Sequence, residues 1–130
     1  MTARRVGELS RKLTPFACMH PPLSHELLDV SLTLIRSVRP LVDTVTQKDR
    51  DLGSQLRRAL SSVALNTAEG FGSTGGNARV RFRTALGSLD ESVAALRVAA
   101  AWGYVTEVAV SELVAALRVF AKRLYGLSRR

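Results

Sequence analysis

The sequence is poor in the residues that most metal and catalytic sites require. It holds one cysteine, Cys18, and two histidines, His20 and His25. A lone cysteine excludes an internal disulfide, and a zinc or iron site needs more clustered ligands than these. No Glu-x-x-His pair of the di-iron bundle type occurs either. We therefore expect no metal and no cofactor, and a reducing cytoplasm as the compartment.

Long apolar runs and aromatic residues are also scarce. The apolar stretch 93–101 is interrupted by Arg97, so it falls short of the roughly 20 residues that span a bilayer. The N-terminus begins with Arg4 and Arg5 and lacks the apolar core of a secretory signal. Aromatic residues make up 5% of the chain, which leaves few rings for stacking on bases. We expect no membrane contact.

An excess of arginine is the most informative feature that is present. Nineteen Lys and Arg stand against eleven Asp and Glu, for a net charge of +8, and only Lys12, Lys48 and Lys122 are lysines. A guanidinium can hold a phosphate or carboxylate with two parallel hydrogen bonds. The balance therefore favours RNA, DNA or an acidic protein surface as partner. A coding bias toward arginine, with the charge serving solubility, is the alternative interpretation.

With 130 residues, 46% of them hydrophobic, the chain fits one domain with a single core. Residues 1–22 mix basic residues with prolines and show no steady apolar stripe, which predicts a poorly structured basic arm. In residues 23–130 the apolar positions recur at helical spacing, without strand-like alternation. We therefore predict an all-α fold, an antiparallel up-and-down four-helix bundle that assembles into a ring.

Capping residues, glycines and a proline predict the helix boundaries. The first helix begins after the N-cap Ser24 and either stops near Arg39 or kinks at Pro40 and continues through Val45. The other three helices are predicted over 51–69, 78–102 and 107–127. Asp49 or Asp51 can cap the second helix, glycines 70 and 72 end it, and Thr106 caps the fourth.

The second and fourth predicted helices each carry one core stripe. The stripe of the second helix is Leu52, Leu56, Ala59, Leu60, Val63 and Thr67. The stripe of the fourth is Val110, Leu113, Val114, Leu117, Phe120, Ala121 and Leu124. The reverse face of the fourth helix is predicted to be polar, with Glu112, Arg118, Lys122 and Arg123.

The third predicted helix is apolar on nearly all sides. Its main seam is Phe82, Ala85, Leu86, Leu89, Val93, Leu96 and Ala100, and a second row of small and apolar residues lies opposite. A helix of this kind needs burial on two sides, and in a bundle this small the second side is another subunit. The predicted subunit contact consists of Val80, Thr84, Ala94, Val98 and Trp102.

Basic residues follow the glycine-rich loop 72–77. Free N–H groups where the third helix begins could receive a phosphate. The loop follows a helix and lacks the Gly-Lys-Ser/Thr ending of a nucleotide-binding loop, so we do not expect nucleotide hydrolysis. An ordinary turn with solvated arginines is an equal alternative. The predicted nucleic-acid patch consists of Arg57, Arg79, Arg81, Arg83, Lys122 and Arg123.

Three carboxylates, Glu69, Asp90 and Glu91, could support acid–base chemistry. Glu69, however, belongs to a polar row on the second helix with Arg58, Ser62 and Asn66, which favours a structural role. We therefore predict that the protein is not an enzyme and has no catalytic residues. An enzyme that uses the Glu69 region is the rival hypothesis.

Short motifs in the second and third helices occur in the order of a known family. They are Gln55-Leu56-Arg57-Arg58-Ala59, Ser62-Val63, Asn66-Thr67-Ala68-Glu69-Gly70, Phe82, Ala85-Leu86-Gly87-Ser88, Glu91 and Trp102-Gly103-Tyr104. On these residues the chain resembles the four-helix-bundle family named for proteins encoded in intervening sequences of bacterial 23S ribosomal RNA genes. Gly72-Ser73-Thr74 departs from the family, because relatives often place a basic residue there.

The resemblance implies an up-and-down bundle that assembles into a ring, typically a pentamer. It also implies a relationship to the accessory proteins of diversity-generating retroelements, which form basic pentameric barrels and bind a reverse transcriptase and nucleic acid. The family motif positions are expected to be mainly structural: Gln55, Arg58, Ser62, Asn66, Glu69, Gly70, Gly87, Ser88 and Glu91.

Together these observations predict a homopentamer that binds RNA or DNA through backbone phosphates, with a reverse transcriptase as a further candidate partner. The alternative is a structural assembly module that binds an acidic protein and has no nucleic-acid role.

Overall fold

The computed structural model describes residues 22–130. The predicted basic arm, with Cys18 and His20, lies outside the described residues. The described part is all-helical and consists of four helices. They are α1 (Pro22–Lys48), α2 (Arg50–Phe71), α3 (Gly75–Ala101) and α4 (Glu107–Ser128). The predicted all-α bundle is confirmed.

The first helix is longer than either predicted version. It begins at Pro22, so Ser24 lies inside the first turn and is not the N-cap. It also runs through Pro40 and on to Lys48. Pro40 lacks an N–H, which leaves one carbonyl of the preceding turn without its helical partner. Because Pro40 is exposed, water can satisfy that carbonyl, while Val38 and Val45 keep the apolar stripe buried on both sides of the proline.

The other helix ends follow the predicted caps closely. Asp49 alone separates α1 from α2, and its carboxylate accepts the Leu52 N–H at 3.0 Å. Thr106 Oγ1 accepts the Ala109 N–H at 3.2 Å and caps α4 as predicted. The loop 72–77 is shorter than predicted, because α3 begins at Gly75, which has a φ of +57°.

Gly70 does not end α2 but lies within it, one residue before Phe71. A Cβ at this position would lie 2.5 Å from the Phe82 ring of α3. The Phe82 ring also meets Phe71 edge-on, with 5.1 Å between ring centroids. The glycine is therefore required by the packing of α3 against α2, and not by a turn.

The core lies between the helices as the apolar stripes predict. The stripes of α2, α3 and α4 include the largest fully buried side chains, among them Leu56, Leu89, Leu96, Leu117 and Phe120. Helices that follow each other in sequence pack side by side, and α1 also contacts α4. Two side-chain contacts fix the antiparallel register of α2 and α3: Ser62 with Ser88 and Glu69 with Arg81.

The end of the bundle at which α1 meets α2 is tied to the α3–α4 loop. The Lys48 Nζ donates to the Tyr104 carbonyl at 3.1 Å, and the Tyr104 hydroxyl donates to Asp49 Oδ2 at 3.2 Å. Burial of the phenol first, then the negative charge of Asp49 and the hydrogen bond to it, raise the pKa of Tyr104 above its ordinary value. We call the end of the bundle that contains Lys48, Asp49 and Tyr104 the loop end. The opposite end joins the end of α2, the start of α3 and the end of α4.

Candidate nucleic-acid interface

The end of the bundle opposite the loop end carries a cluster of cations from α3 and α4. Arg79 lies in the second turn of α3, and its Nη1 donates to the Arg130 carbonyl at 3.1 Å. An open cavity of about 420 Å³ is lined by these two residues over Phe71 and Phe82. A second cavity, of about 220 Å³, is lined by Lys122, Arg123 and again Arg130.

Because both cavities share Arg130 and Leu127, they form one continuous surface. We call this surface the basic end and define it by Arg79, Lys122, Arg123 and Arg130. The antiparallel packing of α3 and α4 creates it, since the first turns of one helix lie beside the last turns of the other. Three of the predicted patch residues are thereby brought together: Arg79, Lys122 and Arg123.

Acidic side chains neutralise part of this charge. Arg123 forms an ion pair with Glu26 of α1, and Arg81 forms one with Glu69 of α2, each at 3.0 Å. All four side chains are 38–55% exposed, so each pair contributes little to stability. Among the described residues, neither Arg79 nor Lys122 forms an ion pair with an acidic side chain.

The other three members of the predicted patch lie outside the basic end, and one of them, Arg81, is paired with Glu69. Arg83 is exposed on the outer side of α3. Arg57 does not join the basic end, because it lies on α2 beside α1, where it lines a separate cleft with Arg39 and Ser61. The sequence alone places Arg57 next to Arg58 but does not tell which neighbouring helix each of them faces.

Five of the nine family motif residues lie at the contact between α2 and α3: Ser62, Asn66, Glu69, Gly70 and Ser88. Ser62 Oγ and Ser88 Oγ lie 2.7 Å apart, and Asn66 Nδ2 donates to both the carbonyl and the Oγ of Ser62 at 3.0 Å. The Glu69–Arg81 ion pair continues this row toward Gly70. The other motif residues are exposed: Gln55, Arg58, Gly87 and Glu91.

The outer face of α3 is uncovered in the single chain. Val80, Val98 and Trp102 are 56%, 44% and 70% exposed, and Thr84 and Ala94 are exposed beside them. These five residues are the predicted subunit contact, and the bundle leaves all of them accessible.

A second exposed stripe lies on α4, on the reverse face for which the sequence predicts only polar residues. Val108 and Val119 are 71% and 65% exposed, next to the charged side chains of Glu112, Arg118 and Lys122. The prediction of a polar face is therefore wrong at these two valines. The sequence does contain a signal for them, because residues 108, 115 and 119 recur at helical spacing, but the neighbouring charges conceal it.

Clusters of metal-binding side chains and membrane-spanning helices are absent from the described part of the chain. In residues 26–130 no three His, Cys, Asp or Glu side chains come together as a possible metal site. No helix within residues 22–130 combines the length and apolar character needed to cross a membrane. Asp90 and Glu91 are exposed on α3, and none of the cavities described here is lined by either of them or by Glu69.

Comparisons with known proteins agree with the motif resemblance. A crystal structure of a protein of unknown function from the S23 ribosomal protein family of Bacteroides thetaiotaomicron superimposes with a TM-score of 0.74. The two chains are 18% identical, and the match covers 80% of this chain and 99% of the other, which shows a shared fold. No curated protein matches the chain. The family model described as 23S rRNA-intervening sequence protein matches residues 25–126. This chain therefore belongs to the family of 23S rRNA-intervening sequence proteins.

Proposed function

We propose that this protein is a non-enzymatic, homo-oligomeric bundle that binds nucleic acid through backbone phosphates at its basic end. The observation that carries the proposal is the convergence of Arg79, Lys122, Arg123 and Arg130 on one surface formed by α3 and α4. Fixed cations need no further motif to bind phosphates, because the interaction is electrostatic and independent of sequence.

The ion pairs change how much each cation is expected to contribute to phosphate binding. Arg81 and Arg123 already hold carboxylates, so a phosphate has to compete with Glu69 and Glu26 for them. Lys122 has no such competitor among the described residues and should contribute most. Arg79 already donates through Nη1 to the Arg130 main-chain oxygen, but its other N–H groups remain for a phosphate. Among the described residues Trp102 is the most exposed aromatic ring, and it lies near the loop end. Tyr125 is 53% exposed in the last turns of α4, close to the basic end, with the Arg129 guanidinium 5.5 Å from its ring centroid. Stacking on such a ring tolerates any base, so the binding should discriminate little between sequences.

The two exposed stripes are compatible with a ring. A contact between α3 of one subunit and α4 of the next covers both stripes, and it closes into a ring when the rotation between subunits completes a circle. A twofold dimer in which α3 of each partner packs on α4 of the other would cover the same stripes, so the mass of the assembly distinguishes the two. We favour a pentamer, in agreement with the family resemblance. Such a ring repeats each basic end and lets weak phosphate contacts add up.

A reverse transcriptase is the partner that the resemblance to retroelement accessory proteins suggests. A polymerase that holds a template would bring nucleic acid to the basic end of a bound ring. The competing proposal is an assembly module for an acidic protein, since the same cations would accept carboxylates.

The nucleic-acid proposal is tested by filter binding of a labelled RNA and a scrambled RNA over a series of salt concentrations. Affinity should fall steeply with salt and be the same for both RNAs. Arg79→Gln and Lys122→Gln should each reduce the slope of log K against log salt by about 1 per lost phosphate contact. Arg50→Gln removes the same charge from the loop end and should leave the slope unchanged.

Three results would reject this mechanism. They are binding to one RNA that survives high salt, no binding at low salt, and equal effects of Arg50→Gln and Arg79→Gln. Failure to bind RNA, combined with salt-sensitive binding of polyglutamate, would favour the acidic-protein alternative.

The ring is tested separately by light scattering. The parent protein should have the mass of an oligomer at micromolar concentration. Val98→Asp and Val119→Asp place a charge on the α3 and α4 stripes, respectively, and should each lower the mass to that of a monomer. Thr33→Asp, on the exposed side of α1, is the matched control and should not. A parent protein with the mass of a monomer or of a dimer would contradict the ring.

A further inference from the structure

A cleft between α1 and α2 lies apart from both the basic end and the exposed stripes. Its floor is formed by Ile35, Val42 and Leu60, of which Val42 and Leu60 are buried. Its volume is about 320 Å³. Small-molecule sites in proteins span about 300–1,000 Å³, so the cleft matches a ligand of roughly ten non-hydrogen atoms.

Charged and polar groups surround this apolar floor. Arg39 of α1 and Arg57 of α2 approach it from opposite sides, and Asp43 and Ser61 complete the rim. Neither arginine forms an ion pair among the described residues, so Asp43 does not neutralise them directly. The two arginines and one aspartate give the rim a net charge of +1.

Ser61 differs from most helical serines and threonines of this bundle. Ser37 and Thr44 of α1, for example, donate to the carbonyl one turn earlier at 3.0 Å. The Ser61 hydroxyl has no hydrogen bond to any of the described residues. It is available to donate to a ligand at the rim, beside the guanidinium of Arg57, which is four residues earlier on the same helix face.

From these groups we infer that the α1–α2 cleft binds a small monocarboxylate with an apolar tail. The tail would lie on Val42 and Leu60, and the carboxylate would accept hydrogen bonds from Arg39, Arg57 and Ser61. The charge selects the class of ligand, because a rim of +1 matches a monoanion, whereas Asp43 repels the second charge of a phosphate. The apolar floor disfavours a small hydrated anion such as acetate. This inference is independent of nucleic-acid binding at the basic end.

Equilibrium dialysis of the full chain with radiolabelled octanoate tests the inference. We expect saturable binding with a dissociation constant on the order of 1 mM, given the ligand's size. Octanol, which lacks the charge, and acetate, which lacks the tail, should bind at least about tenfold more weakly. Arg39→Gln and Arg57→Gln should each weaken octanoate binding about tenfold, since each removes a charge-assisted contact. Arg118→Gln removes the same charge from α4 and should have no effect.

Ser61→Phe changes the shape of the cleft without changing its charge. Ser61 is exposed, so the larger side chain is tolerated and fills the cleft while both arginines remain. It should abolish octanoate binding, with thermal unfolding and RNA binding like those of the parent. Octanoate binding that survives Ser61→Phe would overturn the inference, as would octanol binding equal to that of octanoate. Tighter binding of adenosine monophosphate than of octanoate at this cleft would also overturn it, because the site would then be a phosphate site.

Discussion

Gly70 offers a sharp test of the packing between α2 and α3. In Gly70→Ala the new Cβ would lie 2.5, 2.7 and 2.8 Å from three carbons of the Phe82 ring. Carbon atoms in contact are ordinarily about 3.5–4.0 Å apart, so the ring has to shift by about 1 Å. It has little room, because Phe82 is 5% exposed and meets Phe71 edge-on.

The expected size of the effect is the difference of two terms. Overpacking of a core costs about 1–3 kcal/mol, and replacing a helical glycine by alanine returns up to about 1 kcal/mol. We therefore expect Gly70→Ala to lower the free energy of unfolding by about 1–2 kcal/mol and the Tm by about 4–8 °C. Gly126→Ala is the matched control, because this glycine lies in α4 and a Cβ added to it would have no neighbour within 4 Å. It should be neutral or slightly stabilising.

Denaturant unfolding followed by circular dichroism measures both variants, and a double-mutant cycle with Phe82→Leu assigns the cause. The smaller side chain should remove most of the cost of Gly70→Ala. If Gly70→Ala stabilises the protein as much as Gly126→Ala does, the close approach of the ring to α2 is wrong.

Two further predictions concern polar contacts. Asn66→Ala should lower the free energy of unfolding by about 1 kcal/mol in chemical denaturation, because it removes two half-buried hydrogen bonds to Ser62. Glu69→Ala should change the free energy of unfolding by less than about 0.5 kcal/mol, because the ion pair with Arg81 is about half exposed. Equal effects of the two variants would contradict this. The pKa of Tyr104 is raised, so the folded state keeps the phenol proton at a pH at which the unfolded chain has already lost it. The stabilising contribution of Tyr104 should therefore be fully present below about pH 10 and decline as the pH rises above it. In Tyr104→Phe, thermal unfolding between about pH 9 and 11 should lose this contribution to the pH dependence, and an unchanged profile would show that Tyr104 does not carry it.

The periodicity of the sequence is sufficient to predict the fold class and most of the buried core residues. Helical spacing places Leu56, Leu60, Val63 and Leu96 on the inner sides of their helices, and burial follows from that geometry. The caps Asp49 and Thr106 are also predictable, because capping depends on a few adjacent residues.

Every feature that depends on a second helix required the tertiary structure. A local rule assigns Gly70 to a helix end, whereas the Phe82 ring from α3 explains why a glycine stands there inside α2. A local rule also leaves Pro40 undecided between a stop and a kink, and the buried stripe on either side of it carries the helix onward.

The candidate sites show the same division. Net charge predicts a polyanion partner, but only the antiparallel packing of α3 and α4 brings Arg79 beside Arg130, and only the packing of α1 on α2 directs Arg57 into a cleft with Arg39. A helical period tells which residues share a face of one helix. Packing between residues far apart in the chain decides which face of the next helix lies opposite and which charges that face neutralises. For that reason the candidate sites could be described only from the tertiary structure.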